Sequence, residues 1–139
     1  MKETKENHDT LQLQTEKKVE ELLKKMTLEE KVGQMSLYSC MKEDPNVDYY
    51  KDLIRSGKAG SVFNVFDASF ANELQKIALT ETRLGIPLLI ANDIVHGCRT
   101  IMPIPLAESC SWDPGLIEKA SAAAAREAAA IGTNWTFAP

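Results

Sequence analysis

The stretch Leu88-Leu89-Ile90-Ala91-Asn92-Asp93-Ile94-Val95-His96-Gly97-Cys98-Arg99 brings a carboxylate, an imidazole, a thiol and a guanidinium into one loop directly after an apolar run. An ionised carboxylate only accepts hydrogen bonds, and each of its oxygens can take a donor, which suits the vicinal hydroxyls of a sugar. Asp93 is therefore a candidate binding group, the alternative being that its side chain merely closes a turn onto nearby N–H groups. Asp93, His96 and Cys98 do not have a recognised metal-ligand spacing, so no metal site is expected. A Cys98 nucleophile activated by His96 is equally ill placed, because close neighbours in a loop rarely meet in reactive geometry. His96 is expected to fix the loop through side-chain hydrogen bonds, and Gly97 to supply a backbone angle closed to other residues. Arg99 could pair with a carboxylate or with the backbone.

The other acids read as structural. Asp67 and Asp113 stand where helices should begin and suit N-caps, while Glu29, Glu30, Glu118 and Glu127 fall on helices as capping or solvated charge. Phosphate chemistry finds no frame: Gly57-Lys58 lacks the leading glycine and the following Ser or Thr of a P-loop, and no G-x-G-x-x-G occurs. Nucleotide binding therefore has no support.

The elements that must hold Asp93 follow from periodicity. Residues 1–14 are polar and aperiodic and should form a disordered lead-in, leaving 15–139 as the folded portion. Val19, Leu22, Leu23 and Met26 share one helical face, and Thr27-Leu28-Glu29-Glu30 is a capping box that starts a second helix burying Leu28, Val32 and Met35. Tyr38 to Asp48 reads as a loop, with a short helix near Tyr49–Ser56. Ser61 to Phe66 is β-branched and aromatic and should be a strand. Asp67 then caps a helix with the stripe Phe70, Leu74, Ile77 and Ala78 that ends at Gly85, and Ile86-Pro87 leads into a second strand over Leu88–Ala91. Asp113-Pro114 opens an alanine-rich helix reaching Gly132, able to lie close on a sheet, and Trp135–Ala138 is a third strand.

Strands and helices that alternate, with nearly continuous apolar strands, indicate an α/β fold with a parallel sheet. A doubly wound open sheet and an eight-stranded barrel both fit, and both place ligands at the carboxyl ends of the strands. A barrel takes about 250 residues, whereas this sequence has 139. Three strands should therefore leave an apolar sheet face and strand edges open.

Composition bounds the rest. With 44% hydrophobic and 26% charged residues the chain is an ordinary globular domain, and a net charge of −4 without a basic cluster excludes a nucleic-acid partner. No N-terminal apolar segment or spanning run occurs, so neither export nor a membrane is expected. Cys40, Cys98 and Cys110 are odd in number and not paired by spacing, which fits reduced thiols in a cytoplasmic setting. Asn134-Trp135-Thr136 has the form of a glycosylation acceptor but lies in a strand and reads as chance.

Several stretches together resemble the N-terminal domain of glycoside hydrolase family 3, the β-glucosidase family. They are V-E-E-L-L-K-K-M-T-L-E-E-K-V-G-Q-M at 19–35, G-S-V-F-N-V at 60–65, G-I-P-L-L-I-A-N-D-I-V-H-G-C-R-T-I-M-P-I-P-L-A at 85–107, S-W-D-P-G-L-I-E-K-A at 111–120 and A-A-R-E-A-A-A-I-G-T-N-W-T-F-A-P at 124–139. The resemblance implies the first strands and helices of a (β/α)8 (TIM-type) barrel, incomplete in this chain. It also implies that Asp93, the Asp of D-x-x-H-G, holds sugar hydroxyls at the non-reducing end of a β-glucoside or oligosaccharide substrate.

In that family the nucleophile lies on a later strand and the acid/base usually beyond the barrel, so no catalytic residue is expected within this sequence. Retaining hydrolysis needs two carboxyl groups about 5–5.5 Å apart, and Asp93 alone cannot supply them. The resemblance thus implies that the chain is part of a β-glucosidase-like retaining hydrolase that uses no metal or cofactor, inactive alone, whose partner is the remainder of the enzyme. The competing expectations are a free-standing, non-catalytic α/β protein that binds a sugar or a partner chain, and a truncated product without function.

Overall fold

The computed structural model describes residues 2–138, with side chains from Leu11 onward. The elements run α1 (Lys2–Lys25), α2 (Leu28–Gln34), β1 (Leu37–Ser39), α3 (Val47–Arg55), β2 (Ser61–Phe63), α4 (Ala68–Thr80), β3 (Leu89–Asn92), α5 (Pro105–Ser109), α6 (Pro114–Ala130) and β4 (Trp135–Thr136). The four strands form one sheet in the order β1-β2-β3-β4, and every pair is parallel. A doubly wound sheet reverses its strand order, whereas here each strand is added on the same side of the last. The winding is that of a barrel wall.

Local chemistry sets the helix starts. Thr27 Oγ1 accepts from Glu30 N at 3.2 Å and Glu30 Oε2 accepts from Thr27 N at 2.8 Å, completing the capping box of α2. Asp67 accepts from Phe70 N at 2.7 Å and Asp113 from Leu116 N at 3.0 Å, so both are N-caps as their positions require. The Ser69 hydroxyl, the Phe70 N–H and Lys42 hold the Asp67 carboxyl down to about 2.

On one face of the sheet Val62 and Ile90 are fully buried against Phe70, Leu74, Ile77 and Ala78 of α4, with Ile54 of α3 completing the core. Burying each such aliphatic side chain contributes about 1.5–3 kcal/mol. The stripe on α4 therefore packs as its spacing demands.

Several expectations need correction. The segment after Tyr38 is not all loop: Leu37–Ser39 pairs with β2, and Cys40 N continues the ladder by donating to Phe63 O at 2.9 Å. The strand expected over Ser61–Phe66 stops at Phe63, because Asn64 turns to φ +64° and donates from Nδ2 to Ser39 Oγ at 3.0 Å. Helix α4 ends at Thr80, and Gly85 takes its left-handed angle in the following turn.

Leu28, Val32 and Met35 remain 73%, 51% and 79% exposed. Gly33 sets the packing face of α2: a Cβ there would lie 2.8 Å from Lys58 Cα, and Gly60 N donates to Gly33 O at 2.8 Å, so the apolar stripe points elsewhere. The polar lead-in is helical, with Thr15 Oγ1 donating to Leu11 O at 2.9 Å and Gln12 Nε2 to Glu16 Oε1 at 3.0 Å. Residues 11–21 of it are exposed, so local helix propensity and i,i+4 pairs account for it rather than packing.

Candidate functional site

The site is built at the carboxyl end of β3, whose position the neighbouring strands determine. Asn92 is fully buried, and its Nδ2 donates to Val65 O at 2.9 Å and to Thr133 Oγ1 at 2.7 Å. One amide thus ties the end of β3 to the segments beside β2 and β4. Phe137 N extends the ladder beyond β4 by donating to Asn92 O at 3.1 Å.

Side chains alternate along a strand, and paired residues share a face. The register places Ser39, Phe63, Ala91 and Trp135 in one row on the face opposite α4, with Leu37, Ser61 and Leu89 in the row below. Leu89 is 50% exposed, Trp135 40% and Phe137 39%, so this face is open. The Phe137 ring stands edge-on to Trp135 at 5.2 Å and to Phe63 at 6.4 Å. By the same alternation Asp93 follows Leu89 and Ala91 onto this face, at its carboxyl end.

Asp93 is exposed and its Oδ1 accepts from Val95 N at 3.2 Å. The turn-closing role and a binding role are therefore compatible, since one long hydrogen bond leaves most of the acceptor capacity of the carboxylate to solvent or a ligand.

The loop beyond Asp93 is held by backbone geometry. Gly97 has φ +109°, and a Cβ there would collide with the Thr100 carbonyl oxygen, so a glycine is required. Met102 N donates to His96 O at 2.8 Å and Gly97 N to Ile94 O at 3.3 Å. Ile94 is buried with Ala124 and Ala128 of α6, and Cys98 packs against this cluster. The small residues of α6 allow that approach.

His96 departs from expectation. Its Nδ1 is buried without a partner among the described residues, and the loop is fixed by the His96 carbonyl rather than its ring. The ring borders a cleft of about 270 Å³ between the loop and α6, shared with Met102, Ser121 and Thr136. Burial raises the Cys98 thiol above its ordinary range, and the Glu127 charge adds to this against the opposing effect of Arg99. A thiolate nucleophile is disfavoured there. Among the described residues no group of three His, Cys, Asp or Glu is placed to hold a metal.

Glu127 is not merely solvated charge. Its Oε2 accepts from Arg99 N and Thr100 N, both at 2.8 Å, and its Oε1 accepts from Thr100 Oγ1 at 2.6 Å. The Thr100 hydroxyl and these two N–H groups hold its carboxyl below the usual range. Arg99 meets a carboxylate through its backbone N–H, while its side chain is exposed. The sequence signal for Glu127 was an acid on an alanine-rich helix, which does not reveal a partner in a distant loop.

Residues 27–139 match the sequence profile of the glycosyl hydrolase family 3 N-terminal domain. A periplasmic β-glucosidase of Salmonella typhimurium is 37% identical over 121 residues, covering 87% of this chain and 16% of that protein. A putative β-xylosidase of Formosa agariphila is 30% identical, covering 91% of this chain and 19% of its own length. The crystal structure of a β-glucosidase from Listeria innocua in complex with glucose superposes with a TM-score of 0.76 at 34% identity, over 88% of this chain and 19% of that one. The chain thus spans about a fifth or less of the length of these three relatives. Four parallel strands wound in barrel order and a family profile that covers most of the sequence lead to one conclusion: this chain belongs to glycosyl hydrolase family 3 and carries the opening strands of its N-terminal, TIM-barrel-type domain.

Proposed function

We propose that the polypeptide carrying this sequence is a β-glucosidase-like retaining glycoside hydrolase that releases terminal non-reducing β-D-glucosyl residues. In this reading residues 27–139 supply part of the sugar pocket and not the reacting groups. The observation that carries it is the Asp93 carboxylate, exposed at the carboxyl end of β3 on the open sheet face and largely free of internal partners. Its oxygens accept from two adjacent hydroxyls of the terminal sugar and so fix the ring against the scissile bond. Of the other acids, Glu30, Asp67 and Asp113 cap helices and Glu127 is bound to the loop. The resemblance to family 3 implies that the nucleophile and the acid/base come from outside these residues.

The open face of Leu37, Phe63, Leu89, Trp135 and Phe137 takes the remaining barrel strands, which supply the other pocket walls. Among the described residues no helix is long and apolar enough to cross a membrane. The compartment we read as cytoplasmic from the three free cysteines, although the Salmonella relative is named for the periplasm; cell fractionation decides it.

The test is hydrolysis of an aryl β-D-glucoside by the polypeptide and its Asp93→Ala variant. Two hydrogen bonds to a charged group are worth about 1.5–3 kcal/mol each, so kcat/KM should fall about a hundredfold or more. A variant within twofold of the parent would remove Asp93 from the pocket, and no glucosidase activity in the parent would remove the reaction.

A further inference from the structure

We propose that Glu127 is a positioning residue for sugar binding: by clamping Arg99 and Thr100 it fixes the loop that begins at Asp93, and with it the direction in which that carboxylate is presented. The inference rests on the binding role of Asp93 proposed above. Loop and helix are far apart in sequence, and two kinds of contact join them. One is apolar, Ile94 and Cys98 on Ala124 and Ala128, and is non-directional. The other is the Glu127 carboxylate, which takes three donors at 2.6–2.8 Å and defines both the distance and the rotation of the loop relative to α6. Short, charge-assisted bonds of this kind carry the geometric information that apolar contact lacks.

The clamp reaches Asp93 through a compact path. With no Cβ at Gly97, the Thr100 carbonyl packs directly against its backbone, and Met102 N closes the same turn on His96 O at 2.8 Å. Moving Thr100 therefore moves Gly97 and His96. Val95, whose N–H bonds the Asp93 carboxylate at 3.2 Å, lies immediately before them. Asp93 itself is exposed and has no other side-chain anchor among the described residues, so its orientation depends on the loop that follows.

The test compares amide hydrogen exchange in the whole polypeptide that carries this sequence and its Glu127→Ala, Glu127→Gln and Thr100→Val variants, followed by titration with D-glucose. Loss of charge-assisted bonds should raise exchange at Arg99 and Thr100 in Glu127→Ala by about tenfold or more. The decisive readout is Val95 and Met102, which Glu127 does not touch and which should rise with them, while Thr100→Val, retaining two of the three bonds, has a smaller effect. Glu127→Gln keeps the size and one acceptor oxygen, so it provides the readout if the alanine variant does not fold, and it should recover part of the protection. Exchange that rises at Arg99 and Thr100 alone overturns the inference.

Glucose separates the two layers. Loss of affinity in Asp93→Ala together with weakened affinity in Glu127→Ala supports both. Loss in Asp93→Ala with unchanged affinity in Glu127→Ala overturns the positioning role alone. Unchanged affinity in Asp93→Ala overturns the binding role and the inference with it.

Discussion

Replacing Asn92 by alanine should loosen the end of β3 by an amount that can be worked from its partners. Asn92 is fully buried, and its two donated bonds run to Val65 O and Thr133 Oγ1. Val65 is also fully buried, so its carbonyl cannot turn to water, and leaving such a group without its donor costs about 1–3 kcal/mol. The Thr133 hydroxyl can rotate to a new partner, which limits its share to about 0.5–1.5 kcal/mol. Asn92 Oδ1 is itself buried without a partner, so deleting it returns about 1 kcal/mol. The net loss should be about 0.5–3.5 kcal/mol, read as a lower urea midpoint with an unchanged slope. Asn92→Asp should be worse, by about 3 kcal/mol or more, because an ionised carboxylate donates nothing and is buried without a counter-charge. Its stability should recover in acid, where the neutral carboxyl can donate again. An alanine variant within about 0.5 kcal/mol of the parent, or an aspartate variant no worse than alanine, would refute the view that this amide holds β3 to its neighbours.

Three further outcomes follow from the same structure. Asp67, held down to about 2, stabilises the start of α4 above its ordinary value of 3.8 and loses that contribution as pH falls through about 2; the difference in Tm between the parent and Asp67→Asn should therefore shrink towards pH 2, and a constant difference would contradict it. Burial pushes the Cys40 thiol up to about 11 and leaves it without solvent access, while Cys110 is exposed. Alkylation at neutral pH should label Cys110 first and Cys40 only on unfolding, and native-state labelling of Cys40 at the rate of Cys110 would contradict that burial. Gly97→Ala should destabilise by at least about 1 kcal/mol, since its φ of +109° and the Thr100 carbonyl both exclude a side chain; a urea midpoint equal to that of the parent would show that the loop can reshape.

What the sequence made legible was local. Capping chemistry at Thr27, Asp67 and Asp113 depends on residues within one turn, and all three caps form. The α4 stripe and the second expected strand are likewise patterns of a single element. What escaped depended on distant partners. Strand β1 has only three residues, too few to show alternation, and exists because β2 offers an edge. The stripe of Leu28, Val32 and Met35 states which side of α2 is apolar, but the Gly33 contact with Lys58 decides which side packs. Glu127 was unreadable for the same reason, its donors lying in a loop on the far side of α5 in sequence. The place of Asp93 was legible because the apolar run stops directly before it, and the carboxylate does follow the carboxyl end of β3.

The role of that carboxylate is open to direct observation. In a crystal structure of the polypeptide soaked with D-glucose, two adjacent sugar hydroxyls should lie about 2.5–3.0 Å from the oxygens of Asp93, beside the Phe137 and Trp135 rings. Glucose bound with Asp93 out of hydrogen-bond reach would contradict its assignment as the sugar-binding group of this barrel wall.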